Sequence, residues 1–414
     1  MKVNEMIYSK TTLKSQDYID LETKWCAHNY HPLPVVLTRG QGVWLWDVED
    51  KKYLDMMSAY SAVSHGHCHP KLLATLKEQA NRLAMCSRAY YTDVLPLLVK
   101  KLCAVTGMDQ ALPMNTGAEA VETAIKAVRR WGHFSKKIPE NKAEIIVMTH
   151  NFHGRTSGII SFSSEPEYKI GFGPFLPGFK EVPFGDAVAL KSAITPQTCG
   201  VLMEPVQGEA GIIVPPKGWL TQVAQICKDH NVLLIVDEVQ SGLGRTGKMF
   251  ACQHENIDPD GMILGKALGG GFLPVSALVG KKHLMEVFTP GSHGSTFGGN
   301  PLGAAVALRA LELIEEEHLV EKSAELGNYL MTKLKSIQAP CIRDIRGIGL
   351  WIGLDFDPSI VSARTICEKL KERGVLSKET HHTVVRLAPP LIITKEELDW
   401  GAERIKEVVE RCGS

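Results

Sequence analysis

The sequence lacks most of the features that would place it quickly. It has no excess of charge: 46 Lys and Arg balance 46 Asp and Glu over 414 residues, which argues against nucleic acid or an anionic membrane as partner. It has no CxxC pair. Its ten cysteines stand singly at 26, 68, 86, 103, 199, 227, 252, 341, 367 and 412, so neither a zinc framework nor a thioredoxin-like site is indicated. A reducing compartment, with most of the thiols acting as small core residues, is the expectation. No apolar run approaches the roughly 20 residues that span a bilayer. The opening MKVNEMIYSKTTLKSQDYIDLETK has no arginine and no apolar core, and carries Glu5, Asp17, Asp20 and Glu22. That is unlike a secretory or mitochondrial leader, and a cytoplasmic location is expected. Repeats and low-complexity linkers are absent too. What remains is an ordinary globular composition, 44% hydrophobic and 22% charged, long enough for two or three domains. A small-molecule enzyme is the leading class.

The hydrophobic pattern predicts an α/β protein. Residues 43–56 read as two short strands around an Asp-Lys turn. PKLLATLKEQANRLAM, AEAVETAIKAVRRW and GWLTQVAQICKDH have helical spacing. EIIVMT (144–149), GIISFS (158–163), GVLMEP (200–205) and VLLIVDE (232–238) are short apolar runs without alternation, as expected of strands buried on both faces of a mainly parallel sheet. From residue 301 the texture changes to two long helices, then IRGIGLWIGLDF and TVVRLAPPLII as strands, with helices near 361–373 and 395–411. The expected division is an N-terminal segment 1–42 packing with the small domain, a large domain 43–300 around the parallel sheet, and a smaller α+β domain 301–414.

Several motifs invite chemistry. GLGRTGK (242–248) satisfies both GxGxxG and GxxxxGK, yet Met249 stands where a P-loop needs Ser or Thr, and DEVQS separates it from its strand. A flexible loop is the better reading. The histidines of SHGHCHP lack a matching ligand pair nearby, and a structured turn outweighs a metal site. More informative is a pair of strand ends. Asp237 closes VLLIVD, and Lys266 follows the apolar run Met262–Leu264 in MILGKALGGGFLP, 29 residues later. An acid and an amine on successive strand ends could form a salt bridge. They could equally face opposite ends of a planar cofactor such as pyridoxal phosphate, where a lysine holds the aldehyde and an aspartate keeps the pyridine nitrogen protonated. A dianion site is available at the helix start NTGAEA, through Thr116, Gly117 and Ala118, and in HGSTFGGNP, through Ser295 and Thr296. Gly269–Gly271 would let the backbone approach a flat cofactor or turn sharply.

Taken with NYHPLPVVL, SAYSAVSHGHCHP, MNTGAEAVETAIK, NFHGRT, GFGPFLPGF, EPVQGEAGIIVP, VDEVQSGLGRTGK, LGKALGGGFLPVSA, HGSTFGGNPLG and VRLAPPL, the chain resembles the class III pyridoxal-phosphate-dependent aminotransferases almost end to end, and within them the branch acting on ornithine. The resemblance implies the type I fold of such transferases and a homodimer with its active sites at the interface. It implies that Lys266 bonds the cofactor aldehyde, Asp237 the ring nitrogen and Gln240 the ring oxygen. Phe152 and Val239 would cover the two ring faces, with Gly117 and Ala118 on the phosphate, helped by Thr296 and Ser295 of a second subunit. Tyr30, Tyr60 and Arg155 would hold the α-amino-acid end of ornithine. Arg386 would take the α-carboxylate of 2-oxoglutarate, and Glu209 would mask Arg386 while ornithine reacts. His153 stands where some members of that branch carry tryptophan. Acetylornithine or 4-aminobutyrate as the amine donor, a nucleotide-binding role for GLGRTGK, and a non-catalytic scaffold remain as competing readings at this point.

Overall fold

The computed structural model describes residues 13–412, so residues 1–12 of the 1–42 segment, with Glu5, lie outside the described residues. A seven-stranded sheet forms the centre. In spatial order it runs β4 (Gln110–Met114), β10 (Ser276–Gly280), β9 (Gly261–Leu264), β8 (Leu233–Asp237), β7 (Thr198–Met203), β5 (Glu144–Met148), β6 (Phe179–Val182). β9, β8, β7, β5 and β6 pair in parallel, and β10 runs antiparallel to both its neighbours. Every residue of β7, β8 and β9 is buried, which is why these runs show no alternation: helices cover both faces. One of them, Gly117–Phe134, begins with a reciprocal cap in which Thr116 accepts from the Glu119 amide and Glu119 accepts from the Thr116 amide.

Two smaller sheets complete the molecule. β11 (Ile342–Gly347), β12 (Ile352–Phe356), β15 (Val384–Leu387) and β14 (Lys378–Thr380) form one, in the order β11-β12-β15-β14. The other joins β1 (Leu37–Gln41), β2 (Trp44–Asp47) and β3 (Lys52–Asp55) to the distant β13 (Val375–Leu376), which lies parallel to β3. A division at residue 43 would therefore cut through a sheet. A division at 301 would separate Val306, Ala310 and Leu313 of the helix Pro301–Glu316 from Leu72, with which they share a buried cluster. The stretch around residue 32 does pack on C-terminal structure, since Arg364 donates to the carbonyls of His31 and Pro32.

Two strand expectations are corrected. GIISFS is not a strand: Thr156 caps a short helical turn, Ser157–Ile160, and Asn151 spans the loop to the carbonyls of Met148 and Phe162. So short an apolar run fits either state, and here the cap decides. IRGIGLWIGLDF is a hairpin, β11 to β12, turning at Gly349 with φ +59°. Of the two uses expected for the glycine run, the structure shows the turn: Gly270 and Gly271 lie at φ +60° and +76° and face Leu72 and Val63. The histidines of SHGHCHP have separate protein partners: His65 on the Ala310 carbonyl, His67 on Asp55, His69 on Glu317. Five of the ten cysteines are buried, and all ten are free thiols. Among the described residues no helix is long and apolar enough to cross a membrane.

The helix Leu319–Lys335 and the β11–β12 hairpin meet through close backbone contact. Inside the helix Leu319–Lys335, a Cβ on Gly327 would lie 2.1 Å from the carbonyl carbon of Gly349. Helix propensity alone favours alanine there by about 1 kcal/mol. Because the obstacle is backbone, we expect Gly327→Ala instead to lower unfolding stability by about 1–3 kcal/mol, read from denaturant melts; a gain in stability would refute the contact.

Candidate active site

Open parallel sheets bind ligands at the carboxyl ends of their strands, and in this chain those ends carry the chemistry. Asp237 is the last residue of β8, Glu204 follows β7, Lys266 follows β9 by two residues, and Phe152 and His153 stand on the loop after β5. Together with Gly117, Ala118, Val239 and Gln240 they line a cavity of ≈ 190 Å³. Gly117 opens a helix whose first-turn N–H groups have no carbonyl before them to bond. A Cβ on Gly117 would come within 3.1 Å of Val239, so glycine lets that helix end and the apolar Val239 wall close the same corner.

Lys266 adopts φ +47°, a left-handed conformation that costs an L-residue roughly 1–2 kcal/mol. Its amine is desolvated, and burial brings its pKa down to about 8, against the opposing pull of Glu209; Arg386 lowers it further and Asp237 raises it. A lysine held near neutrality is a nucleophile and a base. Across the cavity, Asp237 receives two hydrogen bonds, from His153 Nδ1 at 2.7 Å and from the Val239 amide at 3.0 Å. His153 is fully buried. Burial alone would lower its pKa, but the hydrogen bond and charge of Asp237 outweigh this and raise it. Among the described residues its Nε2 has no hydrogen-bond partner. Behind it sits Glu204, accepting from the amides of Phe152 and Gly208. Burial pushes its pKa up to about 7, partly offset by His153.

The other side of the cavity is ionic. Arg386 Nη1 donates to Glu209 Oε1 at 2.6 Å, and Gln240 donates to the same oxygen at 3.3 Å. Burial would raise the Glu209 pKa, but Arg386 and then Lys266 hold it below its usual range. The Arg386 guanidinium lies 4.8 Å from the centre of the Tyr60 ring. Arg155 stacks on Tyr168 at 3.5 Å and faces Phe152 at 5.6 Å. Tyr30 is exposed, yet close enough to act on the Tyr60 phenol, which burial raises most. Ser295 accepts from the Asn115 side chain and the Gly298 amide. Neither Ser295 nor Thr296 lines the single-chain cavity.

The structure thus brings Lys266, Asp237, Gln240, Val239, Phe152, Gly117 and Ala118 to one cavity, with Glu209, Arg386 and Tyr60 grouped beside it. Sequence reasoning missed His153 as the partner of Asp237, and it missed Glu204 and Tyr168. Glu204 carried the same signal as Asp237, an acid closing an apolar strand. Tyr168 carried none, because its role depends on a loop folding back to Arg155. GLGRTGK is also corrected: Gly242–Thr246 is buried, braced by the guanidinium of Arg245 and unlike a flexible loop.

A cavity with a desolvated amine, a carboxylate 29 residues earlier on the adjacent strand, an apolar wall and a helix amino end fits an aromatic aldehyde phosphate. The aminotransferase class-III family model matches residues 25–409, and the chain belongs to that family. It is 57% identical over 396 residues to an ornithine aminotransferase of Brevibacillus brevis, covering 96% of this chain and 98% of that one. Among solved structures it is similar to the ornithine aminotransferase of Toxoplasma gondii, which holds PLP at partial occupancy in its active site (TM-score 0.95, 39% identity, 96% and 95% of the two chains). It is also similar to an acetylornithine aminotransferase of Elizabethkingia anophelis (TM-score 0.87, 44% identity, 96% and 100%).

The lowered lysine gives a direct test. Only the neutral amine reacts with acylating reagents, so labelling of Lys266 in the cofactor-free chain, followed by peptide mass, should rise with pH through about 8. A midpoint at the ordinary lysine value of 10.5 would contradict the desolvation.

Proposed function

We propose that the chain transfers the δ-amino group of L-ornithine to 2-oxoglutarate, giving glutamate 5-semialdehyde, which cyclises to pyrroline-5-carboxylate, and glutamate. The observation that carries this reading is the Arg386–Glu209 pair at 2.6 Å beside a lysine amine held near neutrality. The full-length similarity to ornithine aminotransferases supports it. Pyridoxal phosphate, when bound, supplies an aldehyde that exchanges between amines and a ring that accepts the electrons of a breaking C–H bond.

The remaining work falls to side chains. Lys266 would hold the aldehyde and, once free, would be the base that takes the proton from the δ-carbon and the acid that delivers it on the cofactor side. Asp237 holds the ring nitrogen protonated, and His153 fixes the carboxylate for that task. Phe152 and Val239 cover the ring faces, and Gln240 bonds the ring oxygen. Gly117 and Ala118 bind phosphate, with Ser295 and Thr296 of a second chain completing the cup. This makes the protein a homodimer, a reading favoured by the exposed aromatics Tyr90, Tyr91 and Phe297. A cytoplasmic setting suits its free thiols.

Two acids must use one site in turn. Ornithine has to present its δ-amine, so its α-carboxylate must not reach Arg386; Glu209 occupies that guanidinium. Arg155, with Tyr30 and Tyr60, holds the α-amino-acid end instead. 2-Oxoglutarate has to present its α-carbon, so Glu209 swings off and Arg386 takes the α-carboxylate. Acetylornithine is the competing donor, favoured by the similarity to the E. anophelis structure. Two tyrosines at the α end fit a free α-amine better.

Ornithine alone should bleach the absorbance of the cofactor-loaded protein, and 2-oxoglutarate should restore it. N-acetylornithine bleaching faster than ornithine would move the assignment to the competing donor. Glu209→Ala should lower the preference for ornithine over glutamate as amine donor by about tenfold or more, since an unmasked guanidinium attracts either α-carboxylate; an unchanged ratio would make the pair merely structural.

A further inference from the structure

Arg245, from the GLGRTGK stretch, is outside the cavity and 0% exposed. Its Nη1 donates to the carbonyls of Leu350 at 3.0 Å and Pro389 at 2.7 Å. Its Nη2 donates to the hydroxyls of Ser58 at 3.2 Å and Ser64 at 3.1 Å. No carboxylate forms an ion pair with it among the described residues. Burial pushes its pKa down to about 9, only partly opposed by the charge of Asp55, and its Nε has no hydrogen-bond partner among the described residues. Burying a charge without a counter-ion is unfavourable, and apolar replacements of buried ions often leave stability intact or improved. Stability is therefore a weak reason for an arginine here.

The groups it holds suggest a better one. Ser58 and Ser64 bracket a run of residues in the left-handed region, Ser58, Ala59, Tyr60 and Ser61, with φ of 45°, 48°, 58° and 72°. L-residues do not hold that conformation unaided. Pro389 lies three residues beyond Arg386. The two segments are also tied directly, Ser58 Oγ donating to the Ala388 carbonyl at 2.6 Å and the Ala388 amide to the Met56 carbonyl at 2.7 Å. One planar fork thus spans the turn that carries Tyr60 and the strand end that carries Arg386, whose side chains meet at 4.8 Å.

We propose that Arg245 is a positioning residue for substrate selection: it fixes Tyr60 relative to Arg386 so that the α-amino end of the donor is recognised. This rests on the ornithine reading above. A lysine in its place keeps the charge but, as a point donor, cannot hold carbonyls and hydroxyls on two sides at once.

The test compares ornithine with 5-aminopentanoate, which has the same carboxylate and reacting amine but no α-amine. Arg245→Lys should lower kcat/KM for ornithine by about tenfold, chiefly through KM, and leave 5-aminopentanoate within about twofold. Added to Tyr60→Phe, it should cost ornithine nothing further, because both act through one contact. If Arg245→Lys does not fold, judged by its thermal midpoint, Ser58→Ala/Ser64→Ala removes two of the four acceptors and should show the same selective loss. Equal losses for both donors, or none for either, in a folded variant would overturn the proposal. Wild-type protein inert toward ornithine would overturn the substrate reading instead, which keeps the two failures apart.

Discussion

The site depends on one constraint: an amine removed from water yet not fully paired. Lys266 is walled off by the strands and helix around it, and the acid that acts on it most strongly, Glu209, is already committed to Arg386. Were Glu209 free to pair with the lysine, the amine would stay protonated and inert. Were Arg386 free, every α-carboxylate would be drawn to it. The ion pair serves both requirements together. It leaves the lysine pKa at about 8 and keeps the guanidinium masked.

The opposite end is organised by the same logic in reverse. Asp237 lies in a buried place, and its carboxylate accepts from two N–H donors, His153 and the Val239 amide. Glu204, equally buried, is pushed up to about 7 by burial, so it carries less negative charge near Asp237 than an exposed glutamate would. Three acids, one histidine, one lysine and one arginine in a small volume could neutralise one another. The fold keeps their environments distinct because they arrive on different elements: Asp237 ends β8, Lys266 follows β9, His153 follows β5, the two glutamates follow β7, and Arg386 lies in β15.

Much of this was legible in the sequence because it depends on order along the chain. Parallel strands buried on both faces announce themselves as unbroken apolar runs, and their last residues are placed at the binding edge by topology. Asp237, Lys266 and the helix start at Gly117 followed from that. What was not legible depends on approach in space. GIISFS has the composition of a strand, and a cap at Thr156 makes it a helical turn. β13 joins β3 across more than half the chain, a pairing that nothing in the local texture announces. Arg245 looked like part of a loop, since nothing local tells that four distant oxygens converge on it. His153 was visible as a departure from a pattern, but its bond to Asp237 required the loop after β5 to close over β8.

The central claim is that Lys266 is the amine that takes the cofactor. The most direct measurement is borohydride reduction of the pyridoxal-phosphate-loaded protein, followed by digestion and location of the fixed label. The account predicts a single labelled peptide, MILGKALGGGFLP or a fragment containing it, with the modified lysine at 266. A label on any other lysine, or a loaded protein that fixes none, would contradict it.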